Sequence, residues 1–147
     1  MATDAAIPTP EARSFTRYLP TAARLLLGLV FFGSGLAGLL SKPQDMTGMP
    51  EGLVALMNGF VKSGYLLQLL KVTETVMGLL LLSNRFVPLA LTILAPIIVN
   101  ILALHAFLLP SGLPVALVVL ALELFLAWSY RSVFRPMLAA RARPDGA

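Results

Sequence analysis

The chain has 147 residues, of which 58% are hydrophobic and 12% charged, with one histidine and no cysteine. A water-soluble domain carries about 25% charged residues, so most of this sequence is not built for water, and its mean hydropathy of +0.86 agrees. The absence of thiols excludes disulfide exchange, iron–sulfur ligation and thiolate zinc, and the single histidine excludes Cys/His metal clusters and bis-histidine haem, so no metal site is expected.

Residues 1–20 hold Pro8, Pro10 and Pro20 among small polar residues, without hydrophobic periodicity, and are expected to form a disordered tail. A first membrane span is predicted over 21–40, with the core RLLLGLVFFGSGLAGLL. Twenty residues at 1.5 Å each cover about 30 Å, the thickness of the hydrocarbon. A cleaved signal peptide is the competing reading of this basic-then-apolar start, but no small-residue cleavage pattern follows Leu40. Pro43, Gly48 and Pro50 mark a polar connection. Beyond it Leu53, Leu56, Met57 and Phe60 recur at helical spacing. That segment, about 50–62, is too short and too amphipathic to span and is expected to lie along the membrane surface.

A second span is predicted over 65–82, closed by the turn Ser83-Asn84-Arg85, and a third over 86–109, bent by Pro88 and Pro96. After Leu109-Pro110-Ser111-Gly112, a fourth span over 113–130 ends at Trp128, Tyr130 and Arg131, residue types that favour the headgroup boundary. Residues 132–147 form a basic tail. The fold class expected is an all-α, four-helix membrane bundle occupying 21–131.

Arginines and lysines orient it. Arg13, Arg17, Arg24, Arg85, Arg131, Arg135, Arg141 and Arg143 fall on one side of such a bundle, and only Lys42 and Lys62 on the other. Positively charged flanks stay in the cytoplasm, so both termini are expected there, in a bacterial inner membrane. This distribution also accounts for the net charge of +4 without nucleic acid, since no basic stripe interleaves with aromatics.

Within the predicted spans stand Gln68, Lys71, Glu74, Thr75, Asn100, His105 and Glu123. A charged group at the bilayer centre costs at least about 2.5 kcal/mol, so these need partners or a role. Counted from the outer ends of their helices, Gln68 lies about 6 Å deep, Lys71 about 10 Å, and Glu74 and Glu123 about 15 Å. The reading is a polar vestibule entered from outside, with Glu74 and Glu123 at its floor. Gln68, Lys71, Glu74, Thr75 and Gly78 share one face of their helix, whereas Asn100 and His105 are about 140° apart, so either the Pro96 bend changes the register or only one faces the cluster. The plainer roles are a Lys71–Glu74 pair that only fixes packing, a Glu123 carboxyl that joins helices, an interhelical bond from Asn100, an interfacial His105, and close packing at Gly28, Gly33, Ser34, Gly35 and Gly38.

The K-x-x-E of Lys71 and Glu74, the N-R-F-V-P turn, the P-I-I-V-N segment and the H-A-F-L that follows occur together and in order. In this the sequence, from about 18 to 138, resembles the DoxX family (DoxX/DoxD-like small four-helix membrane proteins). Relatives of that kind include DoxD, a membrane subunit of a thiosulfate–quinone oxidoreductase. The resemblance implies a redox-associated membrane subunit, with Lys71, Glu74, Asn100, His105 and Glu123 as its polar core. Without cysteine, the chain is expected to be an accessory subunit and not a complete sulfur-oxidising enzyme.

The expected ligand is a quinone, bound at Gln68, Lys71, Glu74, Asn100, His105 and Glu123, and the expected partners are lipid and a redox protein. The alternatives are a small proton-coupled transporter, which with four spans would need a homodimer, and a structural anchor without ligand.

Overall fold

The computed structural model describes residues 12–41 and 45–140. They are helical almost throughout: α1 (Ala12–Leu40), α2 (Glu51–Lys62), α3 (Leu66–Leu82), α4 (Val87–Phe107), α5 (Leu113–Ser129) and α6 (Arg131–Phe134), with short 3-10 turns at Pro110–Gly112 and Arg135–Leu138. The all-helical architecture read from the sequence is thus observed. Helices α1, α4, and α5 with its leading turn are long and apolar enough to cross a membrane. The 17 residues of α3 rise about 26 Å, and α3 makes a fourth span when taken with α2, from which it is bent by 91°.

Two differences from the sequence reading lie at the ends. Ala12 to Pro20 belong to α1 and not to a tail. Proline keeps a helical φ and removes only one backbone donor, a loss that membrane helices tolerate. At the other end, where a tail was expected, Arg131–Phe134 form a helical turn because Phe134 packs back against the core. Residues 1–11 and 141–147, and Lys42 in the first connection, lie outside the described residues.

The four long helices form a ring in which α1 packs on α3 and α5, and α4 packs on α3 and α5. Leu27, Phe31, Leu81, Leu91, Leu94, Ile98 and Leu126 fill its centre at 1% exposure or less. Large apolar side chains point outward as well: Leu29, Leu69, Val99, Phe107, Val115, Val118 and Leu124 are all exposed. A surface this apolar is unfavourable in water and suits hydrocarbon, where helix association rests on close packing and hydrogen bonds.

Glycine makes the α1–α3 contact possible. Gly28 and Gly78 face each other, and a Cβ at Gly78 would fall 2.8 Å from Phe32 Cα and 2.9 Å from Gly28 O. Gly35 presses on Thr75 and Gly38 on the Lys71 stem, whereas Gly33 has nothing within 4 Å. Gly33, expected among the close-packing residues, therefore has no such role: it lies on the outer face of α1.

Arg24 reaches from α1 to the last turn of α3, where its Nη1 donates to Leu81 O and, at 3.3 Å, to Leu82 O, and it is only 7% exposed. These carbonyls have no intrahelical donor, and a cation complements the negative end of the helix dipole. Arg24→Met is expected to cost about 2 kcal/mol, the scale of charged hydrogen bonds, with Arg24→Lys retaining part of it. Equilibrium unfolding in mixed micelles reads both.

Turn chemistry sets the connections. Gly64, at φ 76°, allows the sharp break between α2 and α3. Ser63 Oγ beside it donates to Phe60 O at 2.6 Å and accepts from Leu66 N at 3.1 Å. Between α3 and α4, Asn84 and Phe86 both take left-handed conformations. Ahead of α2, Thr47 donates to Asp45 through its hydroxyl at 2.5 Å and its N–H at 3.0 Å, and these bonds hold the Asp45 carboxyl below the usual range.

Candidate functional site

Lys71 Nζ lies 2.8 Å from Glu74 Oε2, one turn away on α3. Ser34 Oγ, across the α1–α3 contact, donates to the same oxygen at 3.2 Å. Gly35 and Gly38 bring α1 near enough for this bond, because any side chain there would meet Thr75 or the Lys71 methylenes. Thr75 turns its hydroxyl back to Lys71 O at 2.7 Å. The Glu74 side chain is 4% exposed and that of Lys71 22%. The ammonium keeps donors free after bonding Glu74, since it carries three.

Lys71, Glu74 and Ser34 form one polar edge of a cleft of about 320 Å³. Phe31, Leu70, Ile101, Leu104 and Val119 supply apolar walls, and Met57 and Phe60 of α2 complete it. The amphipathic face of α2 read from the sequence is therefore spent partly on this cleft, and Leu53 on the same helix is buried. His105 lines it from α4. Its Nδ1 lies 2.8 Å from Ile101 O, and a carbonyl can only accept, so Nδ1–H donates and Nε2 is left for other partners. The ring rests on Gly112, where a Cβ would collide with it.

The expected single cluster divides. Lys71, Glu74 and His105 share the cleft, joined by Ser34, which the sequence reading treated as a packing residue. Gln68 and Asn100 are exposed on the outer faces of α3 and α4 and do not line it. The question left by the 140° separation is answered for α4: His105 faces inward and Asn100 outward. Glu123 does not share a floor with Glu74. It lines a separate pocket of about 230 Å³ toward the arginine-bearing end, with Leu91, Thr92, Ala95, Ala127 and Phe134. Leu94 and Ile98, both almost fully buried, stand between the two pockets along α4. Depth along each helix was readable from the sequence, but which neighbour a side chain meets depends on how far each helix is rotated.

Among the described residues no group of three or more His, Cys, Asp or Glu could hold a metal ion. The parts of Ser34 and Gly112 in the cleft are not legible from sequence, because a serine in a glycine-rich helix reads as a packing residue and a glycine in a turn as a turn residue. The small residue seven positions after His105 carries a signal only once the helix reverses there.

The outward apolar surface, the spans and the inward polar cleft define a multi-pass helical membrane protein. The sequence model of the DoxX family matches residues 19–106, more than half of the chain, and the protein belongs to that family. The match takes in Ser34, Lys71, Glu74, Asn100 and His105 and ends before α5, whereas the resemblance read from the sequence ran to about 138. No curated protein and no solved structure matches the chain.

Proposed function

We propose that this DoxX-family protein is an accessory subunit of a bacterial redox or respiratory system and binds a quinone-like molecule in the cleft between α1, α3 and α4. The observation that carries the reading is the Lys71–Glu74–Ser34 edge set in an otherwise apolar wall. Sites for hydrophobic cofactors have this composition, and about 320 Å³ falls within the common range of roughly 300–1,000 Å³. A ring carbonyl would accept from the free donors of Lys71, the His105 side chain would line the pocket beside the ring, and the tail would run out along Val30 and Val115. Glu74 holds the ammonium in place.

The chain lies in the cytoplasmic membrane with both ends inside. Arg17, Arg24, Arg85, Arg131 and Arg135 stand at one end of the bundle and Lys62 at the other, the bias that positive-inside insertion produces. In that orientation the cleft belongs to the outer half of the membrane, with α2 along the outer interface. Separate polar pockets with Leu94 and Ile98 between them support a site reached from one side over a transport path through the bundle.

Titration of a short-tailed ubiquinone into the protein in nanodiscs is expected to saturate. Lys71→Ala should weaken binding about tenfold, or about 1.4 kcal/mol, and Glu74→Gln should weaken it by releasing the ammonium. Absence of saturable binding in both nanodiscs and detergent overturns the reading.

A further inference from the structure

We propose that Glu123 marks a second binding site, distinct from the cleft, which takes an apolar molecule bearing an ammonium group and is reached sideways from the lipid between α4 and α5. Glu123 is only 5% exposed, and its Oε2 is buried with no hydrogen-bond partner. Among the described residues no side chain bonds to it. A buried carboxylate left without a partner costs several kcal/mol, and native proteins rarely retain one without reason.

Among the described residues, Lys71, Arg24 and Arg131 are engaged elsewhere, and Arg85 and Arg135 are exposed. Lys71 is paired with Glu74, and Arg24 with the carbonyls that end α3. Arg131, the basic residue next after α5, lies over the Trp128 ring at 5.2 Å and donates to Trp128 O at 3.2 Å. In its ionised form Glu123 needs a counter-charge that no described side chain supplies, and a bound cation is the source assigned to it.

The pocket specifies what would bring it. Besides Glu123, the one polar side chain lining it among the described residues is Thr92, whose hydroxyl already donates to Pro88 O at 2.8 Å and so offers only lone pairs. An ionised carboxylate is likewise an acceptor. Acceptors without a donor suit an ammonium and not a carbonyl. Phe134 adds an aromatic ring, which attracts cations through its face, and Leu91, Ala95 and Ala127 give an apolar bed for the rest of the molecule. The small side chains of Ala95 and Ala127 leave the space. Thr92 is exposed on the outer face of α4, so the opening is toward lipid.

Trp128, the chain's only tryptophan, directly follows Ala127 and reports occupancy by its fluorescence. The probes are phenylbutylamine, a small lipophilic primary amine, and phenylbutanol, its uncharged counterpart, titrated into the full chain in nanodiscs against empty nanodiscs. The amine is expected to give a saturable change at least tenfold tighter than the alcohol. Glu123→Gln should weaken it tenfold or more, and Gln68→Ala, at an exposed position that lines neither pocket, should leave it unchanged. Ala127→Leu, which fills the pocket but keeps the carboxyl, should also abolish the response, and it decides the matter if Glu123→Gln fails to fold. Equal binding of amine and alcohol, retention in Glu123→Gln or in Ala127→Leu, or equal loss in Gln68→Ala overturns the proposal. The test is independent of whether the other cleft holds a quinone.

Discussion

Replacing Gly78 with alanine is expected to destabilise the bundle by about 2 kcal/mol, although the same change in an isolated helix is stabilising. Two terms compete. Alanine gains about 1 kcal/mol over glycine in helix propensity. Against this, the added methyl would fall 2.8 Å from Phe32 Cα and 2.9 Å from Gly28 O, and the backbone N of Phe32 is nearer still. Backbone cannot swing aside as a flexible side chain does, so α1 and α3 must separate, and overpacking of this kind costs about 1 to 3 kcal/mol at its ordinary scale. The cost falls at the upper end because separation also lengthens the Ser34–Glu74 bond across the same contact. Gly33→Ala is the internal control. With nothing within 4 Å of its Cβ position, only the propensity term remains, and stability should hold or rise. Thermal unfolding in nanodiscs, followed by circular dichroism, compares the two. A Gly78→Ala protein as stable as Gly33→Ala would show that the α1–α3 contact is looser than its geometry implies.

The Lys71–Glu74 pair should respond asymmetrically. Lys71→Met removes the cation and leaves Glu74, 4% exposed, with Ser34 as its remaining donor. Removing one member of a buried pair costs about 3 to 5 kcal/mol. Partial exposure of Lys71, at 22%, reduces the value of the pair, so about 2 to 3 kcal/mol is expected. Glu74→Gln should cost nearer about 1 kcal/mol, because the lysine stem is long enough to carry its ammonium toward the α2 end and water. The double variant should recover most of the loss, since a methionine beside a glutamine leaves no isolated charge. A double-mutant cycle is the measurement, with a coupling of about 1.5 kcal/mol or more expected. Strictly additive effects would show the two groups to be independent, and with that the support for Lys71 as a held donor in the cleft would fall.

Much of the fold was legible because the signals behind it are local. A span is announced by some twenty apolar residues in succession, and Ser83-Asn84-Arg85 and Leu109-Pro110-Ser111-Gly112 are turns by their own chemistry. Membrane character, helical class and the ion pair one turn apart on α3 follow without knowledge of any neighbour. The tail at Ala12 to Pro20 was misread for the complementary reason. Proline and small polar residues lower helix propensity, but a segment continuous with a long packed helix is held by contacts farther along it.

The site was legible only in its α3 half. Lys71 and Glu74 could be placed together from spacing alone. That Ser34 completes their edge, that Asn100 points away while His105 points in, and that Glu123 stands apart from Glu74 depend on the rotation of each helix about its axis. This rotation is not encoded in hydropathy, because in a helix apolar on every side the lipid-facing and core-facing positions look alike. It is set by where α1 and α3 can approach, at Gly28, Gly35 and Gly78, and by the Arg24 bonds to the end of α3. The amino-acid order alone thus determined that this chain lives in a membrane and how often it turns, whereas tertiary packing decided which polar groups meet, since side chains distant in sequence acquire partners only when the helices come together.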